Sequence, residues 1–159
     1  MSAATMKKSA LFICLGNICR SPIAAAVFRQ AVRDRGEQDK WIVESAALGS
    51  WHVGNPADYR AQEVLKSHNV DHKHSARQIK KEDFNKFDYI FGMDDENMKA
   101  LKKMAPENCK AQVLLLISFD PQGDKTIRDP YYDSDSRGFE LCYQQCVRAC
   151  NGFLDGLRQ

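Results

Sequence analysis

The sequence predicts a three-layer α/β fold: a central four-stranded parallel sheet with helices on both faces, and a tight loop joining the first strand to the first helix. Two observations lead there. Short apolar runs alternate with stretches of helical period, the signature of βαβ units and a covered parallel sheet. No repeat, low-complexity tract or Pro/Gly/Ser-rich linker interrupts the 159 residues, so residues 1–159 are expected to form one domain, with residues 1–8 flexible.

Residues 9–14 read as a buried strand. Ser21 and Pro22 then open a helix: Ser can cap, and Pro suits the first helical turn because its missing N–H would be unpaired there. Ile23, Val27 and Ala31, with Ala24, Phe28 and Val32 beside them, continue as an apolar stripe. Residues 41–45 form the second strand candidate, and 57–68 a helix after Pro56 with Ala61, Val64, Leu65 and His68 on one side. A short helical turn over 81–87 precedes the third strand, 89–92. A helix over 94–104 starts with Asp94, Asp95 and Glu96 and ends near Lys102 and Lys103, in register with the helix dipole. Residues 113–117 are the fourth strand and 139–157 the last helix.

The charge balance, 23 basic against 21 acidic residues, is too even to suggest nucleic acid as a partner. Lys7 and Lys8 followed by the apolar run 10–15 resemble a signal peptide, but the run is short and enters Gly16-Asn17-Ile18 with no small-residue cleavage site. No segment approaches the ~18 apolar residues that span a bilayer. The expectation is a cytoplasmic protein with no membrane partner. Six cysteines without a secretory context do not argue for a disulfide framework. Cys142, Cys146 and Cys150 recur every fourth residue, one helical face, where free cysteine packs as a small hydrophobe. His72 and His74 are spaced for a metal, but no third ligand is evident, and neither metal nor cofactor is expected.

The chemistry concentrates in Cys14-Leu15-Gly16-Asn17-Ile18-Cys19-Arg20-Ser21. An oxyanion needs inward N–H donors and fixed positive charge; a tight loop feeding a helix N-terminus supplies both. Gly16 permits dihedrals that other residues resist, and Asn17 tolerates the left-handed region. Arg20 can offer two phosphate oxygens a bidentate fork. A helix N-terminus and a neighbouring arginine favour thiolate over thiol, which makes Cys14 the candidate nucleophile, with the Ser21 hydroxyl able to donate to its sulfur. Cys-x5-Arg-Ser between strand and helix describes phosphate transfer, with residues 15–21 as the phosphate cradle.

C-L-G-N-I-C-R-S-P-I-A at 14–24 together with D-P-Y-Y at 129–132 closely resembles the low-molecular-weight protein tyrosine phosphatase family. V-E-S-A-A (43–47), G-N-P-A-D-Y-R (54–60), A-R-Q-I (76–79), F-D-Y-I (87–90), G-M-D (92–94) and Y-Q-Q-C-V-R (143–148) extend the likeness along the chain. The resemblance implies a metal-independent acid phosphatase acting on phosphotyrosine proteins and small aryl phosphates, releasing inorganic phosphate. It implies Cys14 as nucleophile, Arg20 as phosphoryl ligand and Asp129 as general acid; Asp before Pro is by itself also a common turn starter. Asn17, Ser45 and His74 match positions that support the loop, and Ile18, Trp51, Tyr131 and Tyr132 should wall the cleft. Tyr131 and Tyr132 are implied targets of tyrosine kinases. Cys19 is the candidate redox partner of Cys14. Two other readings stand beside this one. An arsenate reductase of the same architecture would need shuttle cysteines after the third strand, and residues 93–103 contain none. A non-catalytic phosphotyrosine-binding module would be expected to lack one of Cys14, Arg20 and Asp129, and all three are present.

Overall fold

The computed structural model describes residues 7–158. Residues 1–6, most of the segment expected to be flexible, lie outside the described residues, and Lys8 is the first residue of a strand. Four parallel strands, β1 (Lys8–Cys14), β2 (Trp41–Ala47), β3 (Tyr89–Gly92) and β4 (Gln112–Leu115), form one sheet in the order β2-β1-β3-β4. Five helices accompany them: α1 (Arg20–Asp34), α2 (Tyr59–Ser67), α3 (Asp83–Lys86), α4 (Asp95–Met104) and α5 (Arg137–Leu157).

The central strand explains the layering. Residues 10–14 of β1 are all buried because alternate side chains serve two cores. Ala10, Phe12 and Cys14 pack with α1, α2 and α5, and Phe12 stacks on Phe91 at 5.0 Å between ring centroids. Leu11 and Ile13 face the other way, onto Phe84 of α3 and Leu101 of α4. Cys142, Cys146 and Cys150 of α5 are buried in the first core, as their four-residue spacing predicts. Among the described residues no helix is long and apolar enough to cross a membrane.

Boundaries move where a side chain competes for the backbone. Asp58 accepts a hydrogen bond from the Arg60 N–H at 2.9 Å and so caps α2, which starts at Tyr59 rather than residue 57. Asp94 likewise caps α4 through the Asn97 N–H at 2.7 Å. The fourth strand stops at Leu115, because residues Leu116–Phe119 turn into a 3-10 helix that buries Leu116 and Ile117 against the α5 side. An apolar run carries no signal that separates such a turn from two more strand residues.

The chain leaves β1 for β2 on one side and later crosses to β3 on the other. The carboxyl end of β1 is therefore the point where ligands bind in open parallel sheets. Cys14 stands there, paired in register with Ala47 of β2.

Candidate active site

The loop after β1 folds back on its own first residue. The Asn17 and Ser21 backbone N–H groups point at the Cys14 sulfur, at 3.3 and 3.4 Å, and the Ser21 hydroxyl lies 3.0 Å from it. This convergence requires Asn17 to turn the chain, and its φ of 61° is the left-handed conformation that asparagine tolerates. Ser21 is not the helix cap that its position suggests. The helix begins at Arg20, and the Ser21 side chain is instead taken up by the sulfur and by the Asn17 amide, which donates to it at 2.8 Å. Pro22 still falls within the first turn, where no N–H is missed.

Asn17 is fully buried and ties the loop to its surroundings. Its amide donates to Ser45 Oγ of β2 at 3.0 Å, its side-chain oxygen accepts from the Arg77 N–H at 3.1 Å, and its carbonyl accepts from His74 Nε2 at 2.6 Å. Burial, opposed by that carbonyl and aided by nearby Arg29, pushes the His74 pKa down. A neutral ring with the proton on Nε2 is therefore the form this bond uses. Asn17, Ser45 and His74 are thus brought together behind the loop, away from the open cleft.

Arg20 is 2% exposed. Its Nη1 donates to Asp94 Oδ2 at 2.5 Å and to the Ile127 carbonyl at 2.9 Å, its Nη2 lies 3.6 Å from Asp129 Oδ2, and its Nε has no partner within the described residues. Burial works against its charge, but Cys14, the Asp94 bond and Asp129 outweigh it and hold the guanidinium above its ordinary range. Asp129 comes from a segment far along the chain, and its Oδ1 accepts the Tyr131 N–H at 3.1 Å.

Above the sulfur opens a cleft of about 450 Å³ whose walls include Ile18, Trp51, Tyr131 and Tyr132, with Asp129 and Cys19 on its lining. Trp51 is 69% exposed, which fits a wall and not a core residue. Tyr132 is 90% exposed and reachable by another enzyme without unfolding, whereas Tyr131 is half-buried. Burial first, then Asp58, Cys14 and Asp129, pushes the Cys19 thiol up, so it stays protonated at neutral pH.

Asp94 and His52 were not among the sequence candidates. Asp94 comes beside Arg20 because β3 pairs with β1, an adjacency that the strand pattern in the sequence does not specify. His52 lines the cleft, and a Cβ on residue 16 would stand 2.9 Å from its ring, so any larger residue there would have to push the imidazole aside. Nothing local in the sequence signals that approach.

Residues 9–159 match the family described as low molecular weight phosphotyrosine protein phosphatase. A relative of that name from Rattus norvegicus is 53% identical over 150 residues, covering 93% of this chain and 94% of its own. A crystal structure of a protein tyrosine phosphatase from Entamoeba histolytica, with Hepes in its active site, superposes with a TM-score of 0.92 at 34% identity, covering 96% of this chain and 97% of that one. A drosophila arginine phosphatase superposes with a TM-score of 0.90 at 38% identity, covering 94% and 98%.

Proposed function

The chain belongs to the low molecular weight phosphotyrosine protein phosphatase family, and on that premise we propose that Cys14, Arg20 and Asp129 carry its phosphotyrosine hydrolysis in two steps. The observation that carries the assignment is the convergence of three donors on the Cys14 sulfur at the floor of a cleft that Asp129 also lines.

In the first step the Cys14 sulfur attacks phosphorus and forms an S–P bond as the P–O bond to the aryl group breaks. Asp129 passes its proton to the departing phenolate oxygen. In the second, water attacks phosphorus and gives a proton to Asp129; the S–P bond breaks, returning the thiolate and releasing inorganic phosphate. The unpartnered Nε of Arg20 and the adjacent Nη2 form the fork edge available to phosphoryl oxygens, because Nη1 is already held by Asp94 and Ile127. The loop N–H groups and the α1 dipole add partial positive charge where the transition state spreads its negative charge. Ile18, Trp51 and Tyr131 suit the faces of an aromatic ring, and a short phosphoserine would leave them uncovered.

Asp129→Ala tests the acid. Its kcat/KM on a phosphotyrosine peptide should fall by about 10²–10³-fold, since general acid catalysis contributes at that scale. A phosphoserine peptide should be a poor substrate throughout. Wild-type activity in Asp129→Ala would remove the assignment, and equal rates on both peptides would remove the aromatic cleft.

Cys19 lines the same cleft as Cys14 and is read as its redox partner. Once peroxide has converted Cys14 to a sulfenic acid, the Cys19 sulfur displaces water to form a disulfide that thiols reduce. The protonated resting state of Cys19 makes this closure slow at neutral pH. After peroxide treatment, Cys19→Ser enzyme should regain less activity with added thiol than wild type. Recovery equal to wild type would end this reading.

A further inference from the structure

Asp129 stands on a stretch, residues 120–136, without helix or strand, so no ladder of backbone hydrogen bonds orients its carboxyl group. A general acid nevertheless has to hold its proton within a fraction of an ångström of the leaving oxygen. Upstream of Asp129 the segment is tied at Ile127, whose carbonyl accepts from Arg20 at 2.9 Å and whose N–H donates to the Met93 carbonyl at 3.1 Å; the hold just downstream of Asp129 comes from α2. Arg60 donates from Nη2 to the Tyr131 carbonyl at 2.7 Å and from Nη1 to the Asp133 carbonyl at 2.9 Å. Its own position is set by Asp58, which accepts from Nε at 3.1 Å and from Nη2 at 3.2 Å, and by the Phe139 ring, 4.5 Å beneath the guanidinium carbon.

The peptide link that Arg60 catches is next to the one that orients the acid. Tyr131 offers its carbonyl to Arg60 and its N–H to Asp129 Oδ1, leaving Oδ2, 3.6 Å from Arg20 Nη2 and with no hydrogen bond among the described residues, to carry the proton. The far end of the segment is closed as tightly. Arg128 pairs with both Asp133 carboxylate oxygens, at 2.9 and 2.6 Å, and Gly138 has no Cβ to push that pair aside: one would lie 2.9 Å from Arg128 Nη2 and 3.0 Å from Pro130 Cβ.

We infer that Arg60 is a positioning residue for proton donation: by gripping the Tyr131 and Asp133 carbonyls it fixes the Tyr131 N–H that aims the Asp129 carboxyl group at the leaving oxygen. The inference rests on Asp129 being the general acid. Lysine cannot reproduce the grip, since a single ammonium cannot present two parallel N–H bonds to two carbonyls while also meeting Asp58.

The test is the dependence on the leaving group, read as kcat/KM, which ends with departure of the phenol. Phenyl phosphate releases a basic phenolate that needs a proton; 4-nitrophenyl phosphate releases one that needs it far less. Arg60→Met, which keeps an apolar stem over Phe139, should lose about 10–10²-fold on phenyl phosphate and less than about threefold on 4-nitrophenyl phosphate. Arg60→Lys should recover part of the loss, and it carries the same comparison if the Met variant unfolds. Added to Asp129→Ala, Arg60→Met should cost less than about twofold more, because the group it aims is gone. An equal loss on both substrates in the Arg60 variants, or full additivity with Asp129→Ala, overturns the inference and leaves the acid in place. An equal loss on both substrates in Asp129→Ala overturns the acid assignment, and the inference with it.

Discussion

Cys14→Ser should lower phosphotyrosine hydrolysis by more than about 10⁴-fold while the protein stays folded. The side chain is 3% exposed and makes no covalent link, so exchanging sulfur for oxygen disturbs little packing. The chemistry changes far more. The Ser21 hydroxyl and the Asn17 and Ser21 N–H groups are spaced 3.0–3.4 Å from the sulfur, distances suited to an atom larger than oxygen. A serine hydroxyl at that place keeps its proton at neutral pH, and no base in the loop stands ready to take it. The donors proposed to cradle phosphate are untouched, so inorganic phosphate should bind Cys14→Ser about as well as wild type. Calorimetry with phosphate and a rate assay decide it: residual turnover within a hundredfold of wild type means another nucleophile is at work.

Arg20→Lys should reduce kcat by about 10³-fold with a smaller change in KM, because fixed charge aimed at the transition state contributes at that scale. Arg20 divides its guanidinium between two tasks. Nη1 is committed to Asp94 and the Ile127 carbonyl, which fix the plane, and the Nε–Nη2 edge is the one proposed for two phosphoryl oxygens. A lysine ammonium can serve Asp94 or the phosphoryl group and lacks the reach and shape to serve both. Arg20→Met goes further and leaves the Asp94 carboxylate, a quarter exposed, without its arginine, a loss in stability on the order of 1–2 kcal/mol. Thermal unfolding separates the two effects: a Lys variant that melts like wild type and has lost kcat locates the defect in catalysis, whereas retained kcat would show that fixed charge without the fork suffices.

The stretch from Cys14 to Ser21 was legible because its constraints are local. A left-handed residue and a proline in the first helical turn act within a few residues of one another, and Asn17 does adopt the positive φ its side chain permits, whereas Gly16, expected to use the freedom of glycine, takes no positive φ. The layered sheet was legible for a related reason: alternating periods of two and 3.6 record which faces each element buries. Ser21 marks the edge of that method. Its side chain had two partners within reach, the helix backbone and the sulfur, and composition does not say which one geometry favours. The 3-10 turn Leu116–Phe119 was hidden in the same way, since burial alone satisfies either backbone path.

The sequence by itself determined the fold class and singled out the loop after the first strand, with Cys14 as its proposed nucleophile, both from neighbouring residues and their periodicity. Only the tertiary structure decided what faces them. Asp94 reaches Arg20 because β3 lies next to β1, and His52 closes over Gly16 because the segment after β2 bends back across the loop. Arg60 grips the carbonyls beyond Asp129 because α2 and the segment before α5 pack side by side. These contacts join residues remote in the chain, where each side chain has many candidate partners. The selection among them is made by the packing of the whole core, and no stretch of sequence records it locally.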